Sequence, residues 1–240
     1  MRHRGPAPED VVFFDEKRLS RLRSAVRDLS WLLGRGYSAR AASELVGNRY
    51  QLTSRERLAL SNAAKPAAPK RKRRMDISEI TDRILYIDGF NVLITLESAL
   101  GGGILVRGSD GCLRDMASVH SSYHMVSETR RAIALVMRIV KAAAPVRVVW
   151  LFDRPVSNSG RIAALVQSYT ERIDPVYMEA RAIERVDTLL KKCDGVVATA
   201  DSEILDSGVE WLDMVSMIVE ESIPEAKIID LSDKGEDNRL

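Results

Sequence analysis

Cysteine is scarce in the 240-residue chain, which contains only Cys112 and Cys193. Two thiols so far apart exclude a disulfide framework and a cysteine zinc site, and they suit a reducing compartment. The sequence also lacks any long apolar run, and no apolar segment follows its charged N-terminus, so it shows neither a transmembrane helix nor a secretory signal. We therefore expect a soluble cytoplasmic protein with no membrane partner.

The charge is divided unevenly along the chain. Residues 1–74 contain 18 Lys and Arg against 7 Asp and Glu, whereas the remainder contains 18 against 27. A difference of this size between two parts of one chain favours contact between the basic part and a polyanion. The alternative is a solvated helical surface followed by a basic linker.

The basic part is predicted to be a small all-α module over residues 1–62. Apolar residues recur at three- and four-residue steps from Leu19 to Leu33, which is typical of an amphipathic helix. Ser38 is placed to cap a second helix, and Thr53 begins a capping box for a third. A basic flexible linker follows over residues 63–80, and its run of five cations could neutralise phosphates: Lys70, Arg71, Lys72, Arg73 and Arg74.

From residue 81 to residue 240 the pattern becomes that of an α/β domain. Short apolar runs alternate with amphipathic segments, which predicts a parallel sheet with helices on both faces. The predicted strands are Ile84–Ile87, Val146–Phe152, Val176–Met178, Gly195–Thr199 and Lys227–Leu231. The predicted helices are Glu128–Ala143, Arg161–Arg172, Ala180–Lys192 and Val209–Glu221.

Aspartates follow three of the predicted strands. Asp88 follows the first, Asp153 the second and Asp201 the fourth, while Asp187 lies on the helix before that fourth strand. Ligands of open parallel sheets bind beyond the carboxyl ends of the strands, so we expect these side chains to lie together. Any one of them could instead cap a helix. Clustered carboxylates repel one another unless a cation neutralises them, and oxygen ligands without His or Cys favour Mg²⁺ or Mn²⁺.

The segment Tyr86-Ile87-Asp88-Gly89-Phe90-Asn91-Val92 resembles the opening motif of the PIN-like and NYN ribonuclease superfamily. Val149–Asp153, Glu184–Leu189 and Val197–Glu203 are similar to its later acidic motifs, and the resemblance covers about residues 82–231. It implies a Rossmann-like metal-dependent endoribonuclease with Asp88, Asp153, Asp187 and Asp201 as ligands. It also implies that Asn91 orients a phosphate or a ligand carboxylate.

An insert at about residues 94–127 departs from that superfamily. Long loops in compact domains are usually functional or disordered, and this one could fold over a substrate. Arg107 and Arg114 are then expected on phosphates and Tyr123 on a base, while His120 and His124 could act as acid or base. Glu97 and Asp115 are further possible metal ligands, although the favoured interpretation is that they are solvated loop acids.

The sequence therefore predicts an α/β fold, a Rossmann-like parallel sheet (PIN-like) preceded by a small all-α helical module. Its predicted function is metal-dependent hydrolysis of phosphodiester bonds in RNA, with Mg²⁺ or Mn²⁺ as cofactor. The alternatives are a non-catalytic RNA-binding or ribosome-associated protein and a nucleotide-binding regulator. The sequence leaves open whether the chain forms a homo-oligomer.

Overall fold

The computed structural model describes residues 3–66, 70–117, 122–170 and 177–232. It is a mixed α/β structure with an N-terminal helical region. The helices are α1 (Glu16–Gly34), α2 (Ala39–Arg49), α3 (Ser54–Ala63), α4 (Gly89–Leu100), α5 (Thr129–Ala143), α6 (Ser159–Thr170), α7 (Val186–Leu190), α8 (Ser202–Leu205) and α9 (Met214–Ser222). The strands are β1 (Ile84–Asp88), β2 (Ile104–Arg107), β3 (Leu113–Asp115), β4 (Arg147–Asp153), β5 (Tyr177–Ile183), β6 (Val196–Ala198), β7 (Glu210–Leu212) and β8 (Lys227–Asp230). None of the helices in these segments is long and apolar enough to cross a membrane.

The main sheet has five parallel strands in the order β5-β4-β1-β6-β7, with β1 at its centre. Helices α4, α5, α6 and α9 cover one face, where Ile87, Trp150 and Phe152 form the largest core with them. Among the residues that the structure describes, the other face carries the short helices α7 and α8. The predicted parallel sheet with helices on both faces is confirmed, but its two faces are covered very unequally.

Three of the predicted elements differ from the structure. Strand β5 pairs with β4 over seven residues and reaches Ile183, so the helix predicted from Ala180 shrinks to α7. The helix predicted from Val209 is strand β7 followed by α9, because Asp213 caps α9 by accepting a hydrogen bond from the Ser216 amide at 3.0 Å. Strand β8 does not extend the main sheet but pairs in parallel with β2 in a second sheet, ordered β3-β2-β8.

The described part of the predicted insert contains the end of a helix and two strands. Helix α4 begins immediately after β1, because the apolar residues Val92, Leu93 and Leu96 lie in the main core. The helix ends at the glycine triplet, where Gly102 has a φ of 74°. Strands β2 and β3 then form an antiparallel pair.

The three predicted N-terminal helices are confirmed. Ser38 caps α2 through the Ala41 amide, and Thr53 forms a capping box with Glu56 at the start of α3. These helices do not bury a core of their own, since they share it with the second sheet. The shared core includes Phe13, Leu22, Leu29, Val46, Leu60, Ile104, Val106, Met116, Ile229 and Leu231.

The segment predicted to be a flexible linker lies against strand β7 over its described residues after 70. The Met75 amide donates to the Trp211 carbonyl at 2.9 Å, and the Trp211 indole donates to the Lys72 carbonyl at 2.8 Å. Backbone bonds of this kind hold the segment at the sheet edge, which explains the difference from an unpacked tether.

Candidate active site at the carboxyl edge of the sheet

An open pocket of about 500 Å³ lies where β1, β4 and β6 end. Its lining consists of Asp88, Phe90, Asn91, Ile94, Asp115, Ala117, Asp153, Val156, Asp187 and Asp201. We call it the aspartate pocket, because five of these ten residues are aspartates. Among the described residues that line it, none is a lysine, arginine or histidine. The four aspartates expected from the sequence therefore do lie around one cavity.

Asp88 is the most buried of these aspartates, with 8% of its surface exposed. Its Oδ2 accepts a hydrogen bond from the Thr199 hydroxyl at 2.8 Å. Burial raises the pKa of Asp88 to about 7, with further contributions from the negative charges of Asp201, Asp187 and Asp153. Thr199 opposes this increase, but burial outweighs it.

Asp201 is the N-cap of α8, as the alternative interpretation expects, whereas Asp153 accepts a long-range hydrogen bond from the first residue of α7. The Oδ1 atom of Asp153 accepts from the Val186 amide at 3.3 Å, and that of Asp201 accepts from the Glu203 amide at 2.8 Å. Burial raises the pKa of Asp153, and the charge of Glu184 adds to the effect. Each of these hydrogen bonds uses one carboxylate oxygen, so making it and facing a shared cavity are compatible.

Asp187 lies in the first turn of α7, on an exposed part of the chain. Partial desolvation raises the pKa of its carboxyl group, and the nearby charges of Asp201 and Asp153 raise it further. Lys191 acts in the opposite direction. Asp187 is thus electrostatically coupled to two other members of the pocket.

Asp115 is a fifth carboxylate, and its interpretation as a solvated loop acid is wrong. It ends strand β3, accepts from the Ala117 amide at 2.7 Å and accepts from the Thr95 hydroxyl at 3.2 Å. Burial raises its pKa. No local pattern marks this residue, because β3 belongs to the second sheet and reaches the pocket only through the tertiary fold.

Asn91 and Arg114 hold the peptide next to Asp201 from both sides. The Asn91 side-chain oxygen accepts from the Ala200 amide at 2.8 Å, and Arg114 donates to the Ala200 carbonyl at 2.7 Å. Arg114 also forms a two-pronged pair with Asp110, at 2.8 and 2.7 Å. Asn91 therefore orients the segment that carries a pocket carboxylate, whereas Arg114 is engaged inside the protein and not exposed to a phosphate.

The other predicted phosphate ligands are also engaged in ion pairs, with one exception. Arg71 is the most enclosed of them, since it pairs with Asp110 at 2.9 Å and with Asp206. The remaining pairs are Lys72–Glu210, Arg73–Glu79, Arg74–Asp213 and Arg107–Glu220. Lys70 is exposed and has no ion pair within the described segments. Within the run, Arg71 is therefore enclosed in internal ion pairs, whereas Lys72, Arg73 and Arg74 form ion pairs at the surface.

The aromatic and histidine predictions fare differently. Tyr123 is fully buried and donates to Glu97 at 2.5 Å, so the expectation that it stacks on a base is wrong. Glu97 is itself fully buried and accepts from Arg4 at 2.9 Å, which also contradicts its interpretation as a solvated acid. His124 is exposed and does not line the aspartate pocket. His120 lies outside the described residues.

The lining suits a hard cation in its chemistry. Asp88 is buried without a basic partner, and neighbouring carboxylates add to the increase in its pKa. A bound cation would reduce this repulsion between carboxylates. Within residues 3–66, 70–117, 122–170 and 177–232, however, no three His, Cys, Asp or Glu side chains are arranged to hold a metal ion as they stand. The aspartates border one cavity without converging on one point.

The fold and the pocket define an α/β protein with a carboxylate-lined cavity at the carboxyl edge of a parallel sheet. Residues 77–217 match the family model described as "Domain of unknown function (DUF5616)", and the chain belongs to that family. Residues 21–75 match a second model, described as "Protein of unknown function (DUF434)". The matched region 77–217 contains all five pocket aspartates.

A relative from Methanocaldococcus jannaschii, the "Uncharacterized protein MJ0935", is 31% identical over 195 residues. The match covers 78% of this chain and 89% of the relative. No solved structure matches the chain significantly.

Proposed function

We propose that this protein is a metal-dependent nuclease that hydrolyses phosphodiester bonds in RNA, acting as an endoribonuclease. One observation carries the proposal: aspartates from separate strand ends and turns surround one open pocket whose described lining contains no cation. The parallel sheet with β1 at its centre also supports the Rossmann-like, PIN-like and NYN interpretation of the motif around Asp88.

Asp88, Asp153, Asp187 and Asp201 would hold Mg²⁺ or Mn²⁺, and Asp115 extends this set. Such an ion, when bound, lowers the pKa of a water ligand and stabilises charge on a phosphodiester. Because the carboxylates border the cavity without converging, ion binding would require small shifts of the side chains toward one another.

The chain's own residues prepare the pocket in two ways. Thr199 donates to Asp88 and fixes one carboxylate oxygen, while the Val186 and Glu203 amides fix one oxygen each of Asp153 and Asp201. Asn91 fixes the turn before α8 through the Ala200 amide. Held in this way, the carboxylates lose little further freedom when a cation or a phosphate enters.

The test is cleavage of end-labelled single-stranded and structured RNAs, and of a matching single-stranded DNA, with Mn²⁺ or with chelator. We expect wild-type protein to cut RNA only with the metal and the Asp88→Asn variant to lose at least 100-fold in rate, a typical loss when a catalytic electrostatic group is removed. Asp194→Asn is the matched control, because Asp194 is exposed and lies outside the aspartate pocket. Equal cleavage by both variants would contradict the proposal.

A second candidate is a non-catalytic RNA-binding or ribosome-associated protein on the same fold. It is favoured by the observation that, within the described residues, no three acidic side chains are arranged to hold a metal as they stand. Binding of RNA without cleavage, unaffected by Asp88→Asn, is the result that would establish it in place of the nuclease.

A further inference from the structure

A second cavity of about 500 Å³ lies on the sheet face that carries the short helices α7 and α8. We call it the β4–β5 groove. Its lining consists of Tyr86, Arg147, Val149, Leu151, Glu179, Arg181, Ile183, Glu184, Arg185, Thr188, Leu189, Lys192 and Cys193. None of the pocket aspartates belongs to this lining, so the groove is a separate surface of the α/β part.

The β4–β5 groove and the aspartate pocket lie along the same strands. Side chains alternate between faces along a strand, so Arg147, Val149 and Leu151 share the groove face of β4, and Asp153 is the next residue on it. On β1, Tyr86 lines the groove and Asp88, two residues on, lines the pocket. Six residues of β4 at about 3.3 Å each give a path of about 20 Å.

The charge of the groove is positive. Arg147, Arg181, Arg185 and Lys192 line it, against two glutamates. Arg147 and Arg181 share the single partner Glu179. Arg185 and Lys192 are both exposed, and neither has an ion pair in the part of the chain that the structure describes. This surplus stands out because residues 75–240 contain 18 basic against 27 acidic residues.

Aromatic rings accompany these cations. Tyr86 lines the groove, and Tyr177, which is 61% exposed, lies beside it on β5. The guanidinium carbon of Arg147 is 5.5 Å from the centre of the Tyr177 ring. Cations bind the phosphate backbone of a single strand, and aromatic rings stack on its bases. The bases of a duplex are paired and are not available for such stacking.

The turn between β5 and α7 borders both cavities. Arg185 and Thr188 line the groove, whereas Asp187 lines the aspartate pocket. Arg185 has a φ of 57°, a left-handed conformation that is unfavourable for a residue other than glycine. Asp153 helps to hold this turn by accepting from the Val186 amide. A strained residue between two cavities is the kind of position where function outweighs local stability.

We propose that the β4–β5 groove binds single-stranded RNA and holds the part of the strand that adjoins the phosphodiester in the aspartate pocket. The proposal rests on the proposed function for the identity of the ligand, but it does not require that the protein cleave it. Positive charge, accessible rings and the shared border with the aspartate pocket all fit a single-stranded polyanion better than a neutral or acidic ligand.

The test is fluorescence anisotropy with labelled single-stranded RNA in chelator, where no metal-dependent cleavage takes place. The groove variant combines Arg181→Gln, Arg185→Gln and Lys192→Gln. The control combines Arg130→Gln, Arg131→Gln and Lys141→Gln, which removes the same charge from exposed positions on α5, on the opposite side of the sheet. Circular dichroism melting checks that both variants remain folded.

We expect the groove variant to lose about tenfold in affinity and its log–log salt dependence to fall by roughly 2, as three lost phosphate contacts on a single strand require. The control should bind like the wild type. Equal losses in both variants, or none in either, would overturn the proposal. So would a dimer, measured by light scattering, that the groove variant alone disrupts, since the groove would then be a protein interface.

The two proposals fail separately. Groove-dependent binding without any cleavage by the wild type would remove the nuclease and leave the groove intact. Asp88-dependent cleavage with unchanged binding by the groove variant would support the nuclease and remove the groove as an RNA-binding surface.

Discussion

At the scale of single residues, Asp88 combines two opposing demands. It ends the central strand, where the backbone is buried, yet its side chain faces four other carboxylates. Burial, and the charges of Asp201, Asp187 and Asp153, favour its protonated form, which is why its pKa lies near 7. A protonated Asp88 can coexist with charged neighbours, whereas a charged one calls for a cation.

The first prediction concerns the pH dependence of stability in chelator. The pKa of Asp88 is 3.8 as an ordinary value and about 7 in the fold, so the folded state binds its proton more tightly. Its contribution to stability is complete below pH 4 and is lost as the pH rises through 7, with a size on the order of 4 kcal/mol. Urea unfolding from pH 5 to 8 should show a smaller decline for Asp88→Asn than for wild type.

Asp194→Asn again serves as the control and should keep the wild-type decline. The same pH dependence in all three proteins would show that Asp88 is not the group responsible. Added Mn²⁺ should stabilise the wild type more at pH 8 than at pH 6, because a carboxylate ligand must lose its proton before it binds.

The sequence could predict four of the five pocket aspartates, because each stands at a strand end or on the helix before one. The sequence names Asp115 only as a further possible ligand and favours a solvated loop acid, because the residue reaches the pocket only when the second sheet packs beside the first. The burial of Tyr123 could not be predicted from the sequence either, because its partner Glu97 lies on α4 and is 26 residues away. Contacts of that range carry no local signal.

At the scale of elements, the junction between β1 and α4 is the tightest part of the site. Gly89 follows Asp88 directly, and a methyl group added there would overlap the ring of Phe152. The ring is fully buried and packs edge-on against Phe90, so it has little room to move. The glycine allows the helix to begin directly beside the buried carboxylate.

The second prediction follows from this junction. Gly89→Ala should lower the free energy of unfolding by about 1–3 kcal/mol, because the added carbon overpacks the core. Gly160→Ala is the matched control, since Gly160 lies in α6 with no atom near its added carbon, and there alanine should stabilise by about 0.5–1 kcal/mol. Urea midpoints measure both. A Gly89→Ala protein as stable as wild type would contradict the packing argument.

Element prediction succeeded where periodicity and capping agreed, as in α1, α2 and α3. It failed at β5, because Ala180, Arg181 and Ala182 are good helix formers that pairing with β4 holds in a strand. It failed at β7 for the same reason, since pairing of Trp211 with β6 outweighs the helical pattern that begins at Val209.

At the scale of the whole molecule, the helical region and the second sheet share one core. Leu29 of α1 and Val106 of β2 are both almost completely buried in it. Arg55 of α3 adds a polar connection by donating to the Met116 carbonyl at 2.6 Å. The basic part of the chain is therefore joined to the α/β part by packing, in addition to the connecting segment.

The third prediction is that the two parts unfold together. Leu29→Ala should cost about 2–5 kcal/mol and should speed amide hydrogen exchange in β4 as much as in α1. Leu45→Ala is the control, because Leu45 is 60% exposed on α2 and its loss should have little effect. Faster exchange confined to the helices would show that they form an independent unit.

The shared core also sets the order of events when the chain is made. Arg23 of α1 donates to the Asp230 carbonyl of β8 at 3.1 Å, across a separation of 207 residues. At about 5–20 residues per second, the ribosome needs roughly 10–40 s to produce the second partner after the first. During that interval the second sheet lacks β8, so the shared core with α1, α2 and α3 is incomplete. The nascent chain therefore exposes apolar side chains on a basic segment. These side chains become fully buried only when β8 completes the second sheet.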